Sequence, residues 1–428
     1  MRYNKTNFAA FQNFLLAKYE RYIGKVENHS MPYFIALDPS SVCQLKCPFC
    51  PTGVENASKI NENDAHFRNR SMMSSDLFTC LIEELGNNLF YLLFYNWGEP
   101  LFNKHLSHFI STAKKYNIYT EIHTNLSFII SDTDLEQLLI SGIDEIGASI
   151  DGFSQEVYQT YRQGGNFELA KSNLTRLASI RDRLKLNTKL VWNYLVFSFN
   201  ENEIKSTQEY CEEIGIVFNR RDAFIDIKAK PEWLPSYRKN ELNIEQPVGK
   251  DHQTTEDEKL IPIQPKRSCS WHYSMSAVNS DGSVSPCCAP WDQKDDFGFV
   301  IPNKTRFSDI WNNRSFLKSR AVFASKPIGQ YSDFSTICEH CPFGTIVQDL
   351  YTYNEKEIID NFKNVYPLKN QYLSHAFRII EDKDQFIKYC KNNYDHLFNR
   401  EIDDGNISKN IRKFIAKFLQ RIENLFQK

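Results

Sequence analysis

Three cysteines fall within one short stretch of the chain, and no other feature constrains it as strongly. They are Cys43, Cys47 and Cys50, in the spacing Cys-x-x-x-Cys-x-x-Cys. Thiolates held on one loop suit a zinc ion or an iron–sulfur cluster. A structural zinc site takes four ligands, and the nearest downstream histidine, His66, is distant in sequence. A cubane cluster bound by only three cysteines would keep one iron open to a small molecule.

Composition and charge exclude several classes of protein. The chain has 428 residues, of which 41% are hydrophobic, enough for a large core. Its 51 basic and 53 acidic residues nearly balance, which argues against a nucleic-acid partner. No signal peptide is visible, and the longest apolar run, 89–95, is too short to span a membrane. We therefore expect a cytoplasmic protein whose clustered cysteines bind metal and do not form disulfides.

The chain from residue 33 to residue 225 alternates short apolar strands with amphipathic helices. This alternation predicts βαβ units around a parallel sheet. Six strands are too few for a full barrel of eight, so an open barrel or a doubly wound sheet remains. Both place chemistry at the carboxyl ends of the strands, where Cys43 follows the first one. The predicted strands cover 33–37, 89–95, 119–123, 145–150, 187–197 and 216–224. The predicted helices cover 4–27, 75–85, 103–116, 132–141, 155–183 and 201–214, and the pair Gly164-Gly165 indicates a break within 155–183. The segment 55–70 is predicted to be an exposed loop.

A second group of cysteines follows the alternating region. Predicted strands at 273–278 and 283–287 flank Ser280-Asp281-Gly282, a hairpin turn signal. Four cysteines around this hairpin can surround one metal centre, either an iron–sulfur cluster or a structural zinc ion. These four are Cys269, Cys287, Cys338 and Cys341. The neighbouring Cys288 is expected to be a small buried hydrophobe or else a hydrogen-atom donor.

The first cysteine group and three later segments resemble the radical S-adenosylmethionine (SAM) enzymes. In that family a Gly-Gly-Glu-Pro motif holds the methionyl amino group of SAM, and Thr-Asn-Gly follows at the end of the third strand. Here Trp97 replaces the first glycine of one motif and Leu126 replaces the glycine of the other. His123 is expected to be a packed strand-end residue. The matching segments are Cys43-x-x-x-Cys47-x-Phe49-Cys50, Asn96-Trp97-Gly98-Glu99-Pro100, His123-Thr124-Asn125 and Ser149-Ile150-Asp151-Gly152.

The resemblance implies an α/β fold, a partial (β/α)6 barrel, with a [4Fe–4S] cluster of one open iron on Cys43, Cys47 and Cys50. It also implies SAM binding by Phe49, beside the adenine, and by Gly98, Glu99, Thr124, Asn125, Ser149 and Asp151. The second cysteine group resembles the family's SPASM and twitch domains, which implies an auxiliary [4Fe–4S] cluster on Cys269, Cys287, Cys338 and Cys341. The expected units are an N-terminal helical extension (1–32), the core (33–228), a connecting loop (229–266), the small α+β auxiliary domain (267–345) and a C-terminal helical extension (346–428).

The family implies a reaction in which SAM is reductively cleaved and the resulting 5′-deoxyadenosyl radical abstracts a hydrogen atom. A small polar substrate, similar to a sugar or cyclitol, and electron transfer to the auxiliary cluster would make the protein an oxidoreductase. A peptide maturase that crosslinks or epimerises is the alternative. The short stretch before the first strand, too short for a leader-binding domain, favours the oxidoreductase. A zinc-binding interaction protein is the non-enzymatic alternative.

The reaction implies one partner, and a basic segment of the chain suggests one further contact. A reductant such as flavodoxin or ferredoxin would supply the electron that the reaction needs. The basic amphipathic segment 406–428 is expected to pack on the barrel, with contact to a membrane surface as the alternative.

Overall fold

The computed structural model describes residues 8–58, 68–223, 225, 229–241, 269–341, 356, 358–360, 380 and 382–388. His66 and the predicted tail helix over 406–428 lie outside the described residues. Within the described ranges, no helix is both long enough and apolar enough to cross a membrane.

One nine-stranded sheet runs through these ranges, in the order β6-β5-β4-β3-β2-β1-β7-β8-β9. The first six strands are parallel and neighbour one another in chain order, and β7 to β9 form an antiparallel extension. This confirms the predicted partial (β/α)6 barrel. The strands are β1 (Phe34–Leu37), β2 (Tyr91–Leu93), β3 (Tyr119–Thr124), β4 (Glu145–Ser149), β5 (Lys189–Val196), β6 (Val217–Asp222), β7 (Met275–Val278), β8 (Ser283–Ser285) and β9 (Gly298–Phe299).

Helices cover the outer face of the parallel strands and fill most of the connections. The segment 155–183 forms two helices with Gly164 between them at a φ of 80°, which confirms the break that Gly164-Gly165 indicated. One prediction needs correction. The predicted loop from residue 55 begins inside a helix, which Pro51 starts with its fixed φ. The helices are α1 (Phe8–Tyr22), α2 (Pro51–Ala57), α3 (Ser75–Leu85), α4 (Leu106–Lys115), α5 (Asp132–Ile140), α6 (Gln155–Tyr161), α7 (Phe167–Arg183), α8 (Ile204–Glu213), α9 (Ser236–Glu241), α10 (Trp271–Ser274), α11 (Phe307–Trp311) and α12 (Arg314–Phe323).

The two faces of β1 enter two different apolar clusters. Ile35 and Leu37 pack with the outer helices, whereas Phe34 and Ala36 point to the inner face. There the N-terminal helix α1 covers them, and Phe14 lies edge-on against Tyr33 with ring centroids 5.2 Å apart. The inner face of the sheet at β1 and β2 is therefore closed by apolar packing.

The antiparallel extension joins the parallel sheet at β1. β7 runs parallel to β1, with Phe34 opposite Met275 and Leu37 opposite Val278. The hairpin that follows turns at Gly282, which adopts a φ of 88°. A side chain on Gly282 would also crowd the carbonyl oxygen of Val300. The region of the second cysteine group thus continues the sheet that carries the first group.

Arg320 in α12 connects this extension to the rest of the molecule. Its guanidinium is fully buried and donates to the carbonyl oxygens of His272 at 2.9 Å and Trp311 at 2.7 Å. It also donates to the side-chain oxygen of Asn312 at 2.8 Å and to the carbonyl oxygen of Val26, in the N-terminal segment, at 3.3 Å. Burial lowers the pKa of Arg320 to about 9. One buried cation therefore satisfies acceptors from three segments.

We expect Arg320→Leu to lower the free energy of unfolding by about 3 kcal/mol or more, because it leaves several buried acceptors without donors. Equilibrium unfolding of the metal-free protein in urea measures this change. Arg314→Leu is the matched control, since Arg314 is 61% exposed and pairs with Asp333 at the surface; it should cost less than about 1 kcal/mol. Equal losses in the two variants would contradict the role given to Arg320.

Candidate active site

The loop that carries the first cysteine group leaves the carboxyl end of β1 and is held by groups on α2. The side-chain amide of Asn56 donates to the carbonyl oxygens of Cys43 at 2.9 Å and Leu45 at 2.7 Å. Gly53 lets α2 approach the loop, because a Cβ there would overlap the backbone of Cys47. The helix that the sequence analysis missed is thus the support of the cysteine loop.

The three thiols of this loop lie against one apolar cluster that includes Leu45 and Phe197. Burial raises the pKa of Cys43 to about 12 and that of Cys47 to about 11, although the charge of Arg162 opposes the shift at Cys47. In the described part of the chain, no three His, Cys, Asp or Glu side chains form a group that could hold a single metal ion. In a cubane cluster each thiolate binds a different iron, and the three thiols on one loop fit that arrangement.

Glu99 brings three of the predicted SAM residues together. Its carboxylate is 1% exposed and accepts from the Thr124 hydroxyl at 2.6 Å, the Asn125 backbone N–H at 2.8 Å and the Leu101 backbone N–H at 3.2 Å. Burial raises the pKa of Glu99 to about 7, and these hydrogen bonds oppose the shift. A carboxylate has about four acceptor positions, so Glu99 retains capacity for one further donor.

Asn125 links Glu99 to the cysteine loop. Its side-chain oxygen accepts from Gln44 at 2.8 Å, and its Nδ2 lies 3.8 Å from the sulfur of Cys43. The next residue, Leu126, adopts a φ of 51°, the left-handed conformation that glycine adopts easily. The departure from Thr-Asn-Gly therefore keeps the backbone conformation while a fully buried leucine side chain joins the core.

Gly98 lies where the loop after β2 crosses the loop after β1. A Cβ at this position would overlap the carbonyl oxygen of Ser40, and the next backbone N–H, of Glu99, donates to Val42 at 2.8 Å. Trp97, in place of the family's first glycine, buries an indole N–H that has no partner among the described residues. Gly98 thus sets the close approach of the two loops that places Glu99.

Asp151 lies in a buried ion pair that sequence reasoning did not foresee. Its carboxylate accepts from Nε of Arg162 at 2.6 Å and from the backbone N–H of Leu195 at 2.7 Å. Arg162 also interacts with the thiol of Cys47. Ser149 is half-buried at the end of β4, opposite Asn193. We expect Asp151 to orient Arg162, which lies at the end of α6 and belongs to no motif used in the sequence analysis.

Phe49 is half-buried in a group of aromatic rings. Its ring centroid lies 5.5 Å from that of Trp233 and 6.4 Å from that of Tyr161. Trp233 lies in the segment 229–266, which was expected to be only a connecting loop. No motif surrounds Trp233 in the sequence, so its contact with Phe49 was not predicted. The expected place of Phe49 beside the adenine of SAM stays a prediction.

The four cysteines of the second group influence one another electrostatically, and their role as ligands of an auxiliary cluster stays a prediction. The sulfur of Cys269 faces the backbone N–H groups of Trp271 and His272, while burial raises its pKa to about 12. Burial raises the pKa of Cys287 and of Cys338, and neighbouring thiols raise it further: Cys338 and Cys269 act on Cys287, and Cys269 and Cys341 act on Cys338. This mutual influence indicates that the four thiols are neighbours. Four neighbouring thiols with backbone donors around them fit an iron–sulfur cluster.

Cys288 does not belong to this buried group. Its side chain is exposed, so the expectation of a small buried hydrophobe is wrong. The neighbouring Cys287 is half-buried and lies near Cys338 and Cys269.

Comparison with known proteins gives the family. Residues 37–210 match the model of the radical SAM superfamily, and residues 269–342 match SPASM, described as an iron–sulfur cluster-binding domain. The chain belongs to the radical SAM superfamily. This radical SAM protein accordingly takes a [4Fe–4S] cluster, an auxiliary iron–sulfur cluster and SAM as cofactors, and the thiols described above fit both clusters.

Curated relatives include GTP 3′,8-cyclases. A probable GTP 3′,8-cyclase of Methanococcus maripaludis is 24% identical over 262 residues, covering 57% of this chain and 81% of that protein. The GTP 3′,8-cyclase of Clostridium botulinum is 20% identical over 279 residues, covering 64% and 75% of the two chains.

Solved structures with similar folds include BtrN in complex with AdoMet and 2-DOIA, at 19% identity and a TM-score of 0.40, covering 73% of this chain and 94% of that one. Streptococcus suis SuiB bound to precursor peptide SuiA has 16% identity and a TM-score of 0.45, covering 67% and 66% of the two chains.

We expect Glu99→Ala to weaken SAM binding by about tenfold to a hundredfold, because a hydrogen bond to an ionised carboxylate contributes about 1.5–3 kcal/mol. Equilibrium dialysis with reconstituted protein measures the affinity, and iron content should not change. Glu136→Ala, at a surface ion pair with Arg183, is the control. Normal SAM affinity in Glu99→Ala would show that Glu99 is not a SAM ligand.

The same carboxylate predicts a pH dependence. With a pKa of about 7, Glu99 is ionised at pH 8 and mostly protonated at pH 6. The SAM affinity of the wild type should therefore exceed that of Glu99→Gln at pH 8, and the advantage should shrink about tenfold per pH unit below 7. Dissociation constants of both proteins between pH 6 and 8 measure the ratio. A ratio that stays constant across this range would contradict the assignment.

Proposed function

We propose that this radical SAM enzyme oxidises a hydroxyl-bearing carbon of a small polar substrate by two electrons. The observation that carries this proposal is the group of four thiols at Cys269, Cys287, Cys338 and Cys341. Four thiolates supply one ligand for each iron of a cubane cluster, which leaves no iron open to bind substrate. Such a cluster is suited to receive an electron, and an electron acceptor is what an oxidation needs.

The sheet supports this division of labour between the two sites. β1 leads into the loop of Cys43, and its neighbour β7 begins shortly after Cys269. Both cluster sites are therefore attached to adjacent strands of one sheet. Because β1 and β7 are parallel, the two sites lie at opposite ends of these strands, and a substrate bound between them would have its electron acceptor on the side away from SAM.

When bound, the cluster on Cys43, Cys47 and Cys50 supplies the electron that cleaves SAM to methionine and a hydrogen-abstracting radical. The residues of the chain bind and orient. Glu99 offers its remaining acceptor position to the SAM amino group, and Thr124 and Asn125 fix the direction of its carboxylate. Arg162, held by Asp151, places a positive charge beside Cys47.

A second candidate activity comes from the curated relatives, whose named reaction is the cyclisation of GTP. The similarity of 24% over 81% of one such protein supports a nucleotide substrate as the alternative. That reaction class and peptide epimerisation both differ from a dehydrogenation in their product mass. We also propose flavodoxin or ferredoxin as the electron donor and the reducing cytoplasm as the compartment, because both clusters depend on free thiols.

The test removes two auxiliary ligands together, as Cys338→Ala with Cys341→Ala. These residues lie in and after a short 3-10 segment, Ile337–His340, outside the sheet, so the pairing of β1 with β7 should persist. We expect the loss of about half the iron, because one of two cubane clusters is lost. SAM cleavage with dithionite should remain, and formation of the oxidised product should fall at least a hundredfold.

The readout is the mass of the product formed from cyclitols, amino sugars and GTP. A loss of two hydrogens by the wild type supports the oxidation, whereas an unchanged mass with solvent deuterium incorporated would contradict it. Cys80→Ala is the control for cysteine loss outside both sites, and it should keep full iron content. A triple Cys43, Cys47 and Cys50 to Ala variant that still cleaved SAM would contradict the assignment of the first cluster.

A further inference from the structure

A group of polar side chains lies on the inner face of the parallel strands, opposite the helices. Glu121 and His123 of β3 alternate with Ile122, which packs into the outer apolar cluster, so both point inward. Nε2 of His123 lies 2.9 Å from Oε1 of Glu121, and the hydroxyl of Tyr95 donates to the same oxygen at 3.1 Å. With Asn193 of β5, whose amide lies 3.4 Å from Nε2, these residues form the lumen cluster: Tyr95, Glu121, His123 and Asn193.

Gly147 of β4 makes this cluster possible. β4 separates β3 from β5, so side chains on those two strands would ordinarily be separated by the width of two strand spacings. A Cβ on Gly147 would overlap Nδ2 of Asn193 and lie 2.5 Å from Cδ2 of His123. Because Gly147 has no side chain, His123 and Asn193 have room to approach each other across β4.

The imidazole of His123 is held in a defined orientation. The ring of Tyr95 stacks on it with centroids 4.0 Å apart and an interplanar angle of 8°. A carboxylate oxygen only accepts, so the contact with Glu121 assigns a proton to Nε2, and the Asn193 side chain then meets Nε2 through its amide oxygen. In the uncharged ring the lone pair lies on Nδ1. Among the described residues, no side chain or backbone group hydrogen-bonds Nδ1. A carboxylate that orients a histidine and leaves its other nitrogen free is the arrangement of a general base.

The lumen cluster lies next to the proposed SAM site, toward the amino end of β3. His123 precedes Asn125 by two residues, about 7 Å along a strand, and Asn125 bonds both Glu99 and the cysteine loop. His123 and Glu121 each retain 18% exposure, so a small molecule can reach them among the described residues. Burial tends to raise the pKa of Glu121, but hydrogen bonds from His123 and Tyr95 together with the charge of Arg221 lower it overall.

We propose that the lumen cluster binds a small polyhydroxylated ring, such as a cyclitol or amino sugar, and that His123 accepts the proton of the oxidised hydroxyl. Hydroxyl groups both donate and accept, and the cluster presents them with the imidazole of His123, the carboxylate of Glu121 and the amide of Asn193, which also contacts the amide of Asn219 at 2.7 Å. This inference rests on the proposed function and assigns its substrate site.

The atoms and electrons of the step balance. The carbon–hydrogen bond of the substrate breaks, and its hydrogen atom goes to the SAM-derived radical to give 5′-deoxyadenosine. The hydroxyl proton goes to Nδ1 of His123. The remaining electron goes to the oxidised auxiliary cluster, and the substrate carbon becomes a carbonyl carbon.

The test compares His123→Gln with His108→Gln in the full, anaerobically reconstituted protein. His108 is exposed on α4, on the outer side of the sheet, and serves as the matched control. Isothermal titration calorimetry with myo-inositol, scyllo-inositol and glucosamine measures binding in the presence of SAM. We expect at least one of the three to bind the wild type and His108→Gln equally, and to bind Asn193→Ala at least tenfold more weakly.

The carbon-deuterated form of the compound that binds then separates the steps. With the wild type we expect deuterium in 5′-deoxyadenosine together with a ketone product. His123→Gln should keep at least half of the deuterium transfer and lose the ketone at least a hundredfold, an outcome that a merely structural role would not give. Equal losses of both would overturn the assignment of His123 as the base.

Two further outcomes separate this inference from the proposed function. Failure of all three compounds to bind the wild type, or equal binding to Asn193→Ala, overturns the lumen site, whatever reaction the enzyme catalyses. If the wild type binds the compound and transfers deuterium but forms no ketone, both the proposed oxidation and the role of His123 as proton acceptor are overturned. The assignment of the binding site would still hold in that case.

Discussion

The pairing of β1 with strands on both of its sides is the constraint on which the rest of the structure depends. β2 pairs with one edge of β1 and β7 with the other, over the same residues Phe34 to Ala36. The loop that leaves β1 carries the first three cysteines, and the segment that enters β7 carries Cys269. Hydrogen bonding along four residues thereby holds two cluster sites that are distant in sequence on a single rigid support.

At the carboxyl ends of the parallel strands, a few hydrogen bonds determine the shape of the site. Glu99 accepts from β3 and from its own loop, and Asn125 continues the connection to Gln44 and Cys43. Each of these polar groups is buried or half-buried, where an unsatisfied partner would cost about 1–3 kcal/mol. The loops after β1, β2 and β3 are therefore coupled, because moving one of them would leave a buried polar group on another without its hydrogen-bond partner.

Much of the fold and part of the site were readable from the sequence, for identifiable reasons. Strand and helix periodicity is a local property, so all six parallel strands were predicted near their observed positions. Cysteine spacing is equally local, so both cysteine groups could be recognised from the sequence. Arg162, Trp233 and the lumen cluster were not predicted as a site, because their meaning depends on contacts between distant strands. Gly147 shows this best: nothing in its sequence neighbours reveals that His123 and Asn193 meet across it.

The inner face of the sheet divides into two halves of opposite character, and this division restricts what the enzyme can bind. At β1 and β2, α1 fills the inner face with Phe11, Phe14 and Leu15, all buried. At β3 to β5 the inward positions include the polar Glu121, His123 and Asn193, with Val191 and Leu195 beside Asn193 on β5. Burying an apolar ligand against these polar groups would leave them without hydrogen-bond partners. A substrate that reaches the SAM site through this half of the lumen must therefore replace the water hydrogen bonds of these groups, which favours a polar molecule small enough to lie between β3 and β5.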